Sequence, residues 1–162
     1  MNINKIVFAL LVSALLIGVV CAASVSDFNV DKAYKNEYSS DYYSVYSKDN
    51  QNTGVIIFQN VNDDVYDDAV NDDILEGVIH HDGKEYIYSD DDDATVTKNS
   101  DNTMNFTDHD HGTHGVSEVV ESGNGQYIVV FWAKDSSNVK NADLISQLNK
   151  FNNDNKVSAI AV

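Results

Sequence analysis

Runs of apolar positions along the chain predict a series of β-strands. The continuous apolar run at 55–58 is typical of a strand buried on both faces inside a sheet. Elsewhere, strand-like runs flank glycine-containing turns, and Asp82 with Gly83 supplies the positive φ angles of a tight hairpin turn. The predicted elements are a strand at 55–58, a hairpin at 78–88, a short strand at 103–106 and a hairpin at 116–133 whose turn is 122–126.

Three other segments show helical spacing. Tyr34, Tyr38 and Tyr42 are four residues apart and would share one stripe of an N-terminal helix. Apolar residues at 61–75 and at 141–151 also follow a helical period, and the second segment would form an amphipathic helix that covers the sheet. The sequence therefore predicts an α+β fold: an antiparallel sheet of about five or six strands with two or three helices, including the C-terminal amphipathic one.

The N-terminus has the form of a secretory signal. Lys5 is followed by an uncharged apolar run at 6–23, and small residues at 21–23 suit cleavage near Ala23. An uncleaved anchor is the alternative, because the run reaches the lower limit of about 18 residues for spanning a bilayer. The chain thus divides into a signal or anchor at 1–23, a polar tyrosine-rich segment at 24–52 and a single acidic α+β domain at 53–162.

Composition limits the classes of partner. The formal net charge is -16, and all ten basic residues are lysines. Nucleic acids and anionic membranes require a cationic face, commonly with guanidinium groups, so both partners are excluded beyond the possible N-terminal anchor. The single cysteine, Cys21, would leave with the signal, and the mature domain would then hold together by core packing without a disulfide.

Three of the five histidines lie in a short polar stretch before the second hairpin. His109 and His111 are two apart, so in an extended segment both rings point to one side and could converge on an ion at about 2.1 Å. His114 could add a third ligand after the intervening glycine. Asp108 and Asp110 supply carboxylates to the same stretch. This cluster is the candidate metal site, and the cation would be zinc or calcium.

Other interpretations of the cluster stay open. Histidine and aspartate are common in solvated turns, and a calcium site could also draw on the aspartates at 90–93. An EF-hand loop placed from Asp108 fails, because Gly112 falls at position five rather than six. The residues His111-Gly-Thr-His114 resemble the histidine motif of subtilisin-like serine proteases, but no matching serine or aspartate motif accompanies them, and no catalytic residue is predicted.

The chain resembles small exported proteins of methanogenic archaea. The residues that carry the resemblance are the signal at 1–23, the "NFTDHDHG" turn at 105–112 and the hairpin "GVSEVVESGNGQYIVVFWAKD" at 115–135. The resemblance implies an exported location and no particular activity.

The sequence therefore predicts a secreted or cell-surface protein that is not an enzyme and that acts by binding. Its partner would be an extracellular or envelope protein, or cations. The alternative is a metal-binding protein that uses the His-x-His-x-x-His cluster. An enzyme comes third, since carboxylates are plentiful enough for a glycosidase but no spacing selects a pair. An exported chain could also carry a glycan at Asn105, which begins an Asn-Phe-Thr triplet.

Overall fold

The computed structural model describes residues 24–59, 80–82, 85–87, 94–109, 112–123 and 125–160. The predicted signal at 1–23 and the predicted helix at 61–75 lie outside these residues, and so do Asp110 and His111. The described part of the chain forms ten strands, one 3₁₀ turn and one α-helix. The elements are the 3₁₀ turn Val25–Asp27, β1 (Lys35–Ser39), β2 (Tyr43–Lys48), β3 (Thr53–Gln59), β4 (His80–Asp82), β5 (Glu85–Ile87), β6 (Ala94–Lys98), β7 (Met104–Asp108), β8 (Thr113–Ser122), β9 (Gly125–Lys134), α1 (Asn141–Asn155) and β10 (Ser158–Ala159).

Most of the strands form one antiparallel sheet. The order across it is β1-β2-β3-β9-β8-β7-β6, and β10 pairs with the end of β8. The chain therefore builds two meanders, β1-β2-β3 and β6-β7-β8-β9. They join where β3 lies beside β9, with Thr53 opposite Ala133 and Gln59 opposite Tyr127. Strands β4 and β5 pair with each other as a separate two-stranded sheet.

The predicted antiparallel α+β class is confirmed. The apolar run at 55–58 forms β3, which is buried except at its last residue. Both predicted hairpins are present as β4–β5 and β8–β9, although Asp82 pairs with Glu85 and so belongs to the strand rather than to the turn. The strand predicted at 103–106 is β7, and the helix predicted at 141–151 is α1.

The prediction of an N-terminal helix is wrong, because that segment forms strands. The sheet also has more strands than predicted. Tyr38 lies in β1 and Tyr43 begins β2, and their rings stack with centroids 5.0 Å apart. Tyrosine favours such extended segments because its ring packs well across neighbouring strands. The main sheet has eight strands rather than five or six, and the described residues contain one α-helix rather than two or three.

Local backbone contacts define both ends of α1. The Lys140 N–H, just before the first turn, donates to the Asp143 carboxylate at 3.0 Å. At the other end Lys156 takes a left-handed φ of 55°, and the Val157 N–H donates to the Asn152 carbonyl at 3.1 Å. Carbonyl groups that the last turn leaves unpaired are satisfied in this way.

Helix α1 and the N-terminal segment cover one face of the sheet, here named the helix face. Leu144, Leu148 and Phe151 recur at helical spacing and are buried, whereas Asn149 and Lys150 are exposed. Burial of these apolar side chains is the main force that holds α1 on the sheet. The buried core of the helix face consists of Val25, Phe28, Tyr34, Val55, Ile57, Val116, Val120, Tyr127, Val129, Phe131, Ala133, Leu144, Leu148 and Phe151.

The opposite face, here named the glycine face, carries a row in which glycines alternate with aromatic residues. Gly54 lies opposite Trp132, Trp132 lies opposite Gly115, and Gly115 lies opposite Phe106. A Cβ atom added at Gly54 would meet the Trp132 ring, and one added at Gly115 would meet the Phe106 ring. Each glycine therefore leaves the space into which a buried aromatic ring packs.

Candidate ligand cleft and histidine-bearing loop

A cavity of about 160 Å³ opens on the helix face between the N-terminal segment, β2 and α1. We name it the cleft. Its floor is aromatic, since Phe131 of β9 and Phe151 of α1 meet edge to face with ring centroids 6.1 Å apart. Its rim is polar and comes from three parts of the chain: residues 29–34, Lys48 and the second half of α1. An apolar floor with a few polar groups around it is the usual composition of a small-ligand site.

Lys48 places an ammonium group on this rim. Its Nζ lies 4.4 Å from the centroid of the Tyr34 ring and donates to Gln147 Oε1 at 3.2 Å. Within the described part of the chain, no carboxylate forms an ion pair with Lys48. The aromatic ring and the amide stabilise the cation without neutralising its charge. Lys48 therefore remains able to pair with an anionic group in the cleft.

Gln147 is held in one orientation by three neighbours. Its Oε1 accepts from the Tyr34 hydroxyl and from Lys48, and its Nε2 donates to the Asp143 carbonyl at 3.3 Å. Burial, together with the charges of Asp31 and Asp49, raises the pKa of Tyr34 far above its ordinary value. The Tyr34 phenol thus stays protonated at neutral pH and keeps donating to Gln147.

Lys150 joins two carboxylates on the other side of the rim. Its Nζ lies 3.3 Å from Asp31 Oδ2 and 2.7 Å from Asp154 Oδ2. The backbone N–H of Ala33 and then Lys150 hold the pKa of Asp31 below its usual range, and the hydrogen bonds to Asp154 and Asp31 raise the pKa of Lys150. Asp31 and Lys150 are therefore charged at neutral pH, and the three side chains together carry a net formal charge of minus one.

Sequence reasoning missed the cleft. Asp31, Lys48 and Lys150 are far apart along the chain and belong to no recognisable motif. Tyr34 is buried, and it lies in an irregular segment before β1 rather than in the predicted N-terminal helix. A weak indication was available, because lysine is scarce in this acidic chain and its few positions could have been examined individually.

The predicted metal ligands Asp108 and His114 lie on opposite faces of the sheet. Asp108 ends β7, is 3 % exposed and lies directly opposite Thr113 of β8, whereas His114 lies opposite Thr107. Neighbouring residues of a strand point to opposite faces, so Asp108 shares the glycine face with Thr113 and His114 points to the helix face. The sheet therefore separates these two side chains.

His109 follows β7 in an exposed turn, where its Nε2 lies 3.5 Å from Thr95 Oγ1. In the ranges that the structure describes, no group of three or more histidine, cysteine, aspartate or glutamate side chains is arranged to hold a metal ion. Because Asp110 and His111 lie outside those ranges, the five-residue metal site stays a prediction.

Both ring nitrogens of His114 already have partners in the fold. Nδ1 lies 2.7 Å from Asp135 Oδ1, and Nε2 lies 3.0 Å from the Val139 carbonyl oxygen. These contacts tie β8 to the loop that leads into α1. A metal ion at His114 would have to displace one of the two contacts.

Asn105, which begins the predicted glycosylation triplet, lies within the sheet. It pairs with Thr97 of β6 and Val116 of β8, and its Nδ2 donates to Asn99 Oδ1 at 3.2 Å. Glycan attachment uses that same nitrogen, which the folded domain holds in a hydrogen bond between strands. The folded geometry therefore disfavours glycosylation at Asn105.

Glu118 is a buried carboxyl on the helix face, 4 % exposed, and it pairs with Asn152 of α1. Asn152 Nδ2 donates to Glu118 Oε2 at 2.5 Å, while Asn152 Oδ1 is buried and has no hydrogen-bond partner among the described residues. Burial raises the pKa of Glu118, and the negative charge of Asp101 acts in the same direction. An ionised Glu118 has no proton to give, so only its protonated form offers a donor to Asn152 Oδ1.

Glu118→Gln is expected to stabilise the domain by about 1 kcal/mol at neutral pH, since a glutamine accepts from Asn152 and also supplies the missing donor. Because the pKa of Glu118 is raised in the folded protein, the protonated side chain stabilises the fold in acid. This contribution to the free energy of unfolding is lost as the pH rises through the pKa of Glu118 in the folded state. The advantage of the glutamine variant should therefore shrink as the pH is lowered, which urea unfolding of both proteins between about pH 4 and 8 would measure. An advantage that is independent of pH would contradict this explanation.

Comparison with known proteins identifies no relative: no family model, no curated protein and no solved structure matches the chain. Among the described residues, no helix has both the length and the apolar character needed to cross a membrane. The geometry of the cleft and of the histidine-bearing loop is therefore the basis for any functional conclusion.

Proposed function

We propose that this protein is an exported, non-enzymatic binding protein of the cell surface or the extracellular space, and that it holds a small ligand in the cleft. The observation that carries the proposal is the cavity of about 160 Å³, in which polar groups from three parts of the chain surround an aromatic floor. A cavity of this size suits a small metabolite rather than a folded partner.

The protonation states of the cleft residues support binding rather than catalysis. Tyr34 is held as a neutral phenol, Asp31 as a carboxylate and Lys150 as an ammonium. General acid–base catalysis needs a group whose pKa lies near the operating pH. Each of these three groups is shifted further away from neutrality, which suits fixed hydrogen-bonding and charged contacts to a ligand.

The proposal is tested by measuring thermal midpoints of the mature chain with a panel of small polar metabolites, because a ligand bound only by the folded state raises the midpoint. We expect at least one compound to raise it and Ala33→Trp, which adds an indole to the lining of the cleft, to abolish that rise. Ala142→Trp is the matched control, since Ala142 is exposed on α1 and does not line the cleft. A panel without any stabilising compound, or an equal rise in Ala33→Trp, would contradict the proposal.

The alternative function is metal binding by His109, His111 and His114 with Asp108 and Asp110. One observation favours it: the Asp135 carboxylate holds Nδ1 of His114, as second-shell carboxylates hold metal-binding imidazoles. The position of Asp108 on the opposite face weakens it. Zinc or calcium would then raise the midpoint of the native chain, and His109→Ala would remove the rise.

A further inference from the structure

We propose that the ligand of the cleft is a small zwitterion with an apolar body, of the class of free α-amino acids. This inference rests on the proposed function and adds the chemistry of the ligand. The cleft presents a cation that forms no ion pair with a carboxylate of the described residues, a carboxylate pair that shares a single ammonium, and two phenylalanine rings beneath.

The ligand carboxylate is assigned to Lys48. Its ammonium group has three donors, and the described contacts use one of them, toward Gln147. Nζ also lies over the face of the Tyr34 ring, and its charge helps to hold the pKa of the more distant Asp31 carboxylate down, but no described carboxylate lies within ion-pair distance of it. A ligand carboxylate beside Nζ would complete an ion pair on a partly apolar surface, where such a pair is less screened than in open solvent.

The ligand ammonium is assigned to Asp31 and Asp154. Lys150 lies between these two carboxylates and compensates one of their two charges. Asp31 Oδ1 accepts from the Ala33 N–H at 3.0 Å, which fixes the carboxylate on the rim. A second cation beside the pair would bring this side of the cleft to neutrality.

The charges of the whole rim favour a zwitterion over a simple ion. Asp31, Asp154, Lys48 and Lys150 sum to zero, although the chain carries -16. A simple anion that pairs with Lys48 would also face the residual negative charge of the carboxylate pair. A simple cation that pairs with Asp31 and Asp154 would face Lys48. A ligand with both groups satisfies both sides at once.

The apolar body of the ligand is assigned to the floor. Phe131 and Phe151 are 3 % and 4 % exposed, so the small area that they present lies at the base of the cleft. Val30 lines the same cavity and is half-buried. An aliphatic or aromatic side chain on the ligand would cover this apolar surface and remove it from water.

The test is calorimetric titration of the mature chain with matched ligands that differ only in their charged groups. L-leucine carries both groups, 4-methylpentanoate lacks the ammonium, and 3-methylbutylamine lacks the carboxylate. Phenylalanine, 3-phenylpropanoate and 2-phenylethylamine repeat the comparison with a larger body. In at least one series we expect the amino acid to bind about tenfold or more tightly than either analogue, the equivalent of one added charge-assisted contact.

Two variants identify the charged contacts. Lys48→Met keeps the length of the apolar stem, and it should weaken amino acid binding about tenfold or more. The amine analogue should bind at least as tightly as before, because the variant no longer presents a second cation to it. Asp154→Asn, at an exposed position, should weaken the amine analogue and spare the carboxylate analogue. Unchanged far-ultraviolet circular dichroism and thermal midpoints would verify that both variants fold.

Four results would overturn the inference, and they differ in whether the proposed binding function survives. Equal affinity for an amino acid and its carboxylate analogue would exclude a zwitterionic ligand. Unchanged amino acid affinity in Lys48→Met would exclude it as well. If neither amino acid binds while another metabolite raises the midpoint and Ala33→Trp abolishes that rise, the zwitterion fails and the binding function remains. If no compound binds at all, both proposals fail.

Discussion

Gly115→Ala is expected to destabilise the domain by about 3 kcal/mol, the upper end of the usual cost of overpacking a core. The added Cβ would lie 2.5 Å from the backbone oxygen of Phe131 and would also meet the Phe106 ring. The Phe131 oxygen belongs to β9, which pairs on both sides with β3 and β8 and cannot move without distorting both ladders. Urea unfolding of the variant and the native chain would measure the loss.

Gly54→Ala is the matched comparison, because the three atoms nearest to its Cβ would all belong to the Trp132 side chain, with Cζ2 at 2.7 Å. Trp132→Leu should therefore relieve most of the cost of Gly54→Ala, whereas Phe106→Leu should leave most of the cost of Gly115→Ala in place. Double-mutant cycles measure both couplings. A Gly115→Ala variant within about 0.5 kcal/mol of the native chain would show that the row of glycines and aromatic rings is not close-packed.

Phe151→Ala is expected to cost about 3 to 5 kcal/mol, the range for truncating a buried phenylalanine. Its ring stacks on Phe28 with centroids 5.6 Å apart and meets Phe131 edge to face. Phe151 therefore joins the N-terminal segment, the sheet and α1 at one point. We expect amide hydrogen exchange at 25–34 to increase as well, because this segment loses its aromatic contact with α1.

Asn149→Ala is the control for this prediction, since Asn149 is exposed two positions earlier on the same helix. Alanine has the higher helix propensity, so this variant should be equal to the native chain or slightly more stable. Similar losses in the two variants would mean that α1 is not held by burial of its apolar side. Unchanged amide hydrogen exchange at 25–34 in Phe151→Ala would show that packing of Phe151 does not hold the N-terminal segment on α1.

The strands of this fold could be predicted because burial on both faces gives β3 and β9 long apolar runs, and glycines mark the hairpin turns. The N-terminal segment was mispredicted for a specific reason. A spacing of four residues, as between Tyr34 and Tyr38, fits one side of a helix and one face of a strand equally well. The polar residues at 35–37 between these positions did not resolve the ambiguity, and pairing of β1 with β2 decided it.

The two candidate sites differ in how far local sequence can indicate them. The histidine cluster is conspicuous because its members are adjacent in sequence, yet the alternation of side chains along strands places Asp108 and His114 on opposite faces. The residues of the cleft, in contrast, are not adjacent in sequence. Its charges come from Asp31, Lys48 and Lys150, which meet only after α1 has packed beside the N-terminal segment. Such a site depends on tertiary packing, which no local pattern encodes.

The most direct test of the central claim, that this protein binds a small ligand in the cleft, is amide chemical-shift mapping by NMR. The isotope-labelled protein would be titrated with a pool of free amino acids and, separately, with zinc. We expect the amino acids to shift amides at 29–34, at Lys48 and at 147–154, with the rest of the described sheet little changed. Shifts confined to 108–114 on adding zinc, with no response to the amino acids, would contradict the claim and favour the metal site.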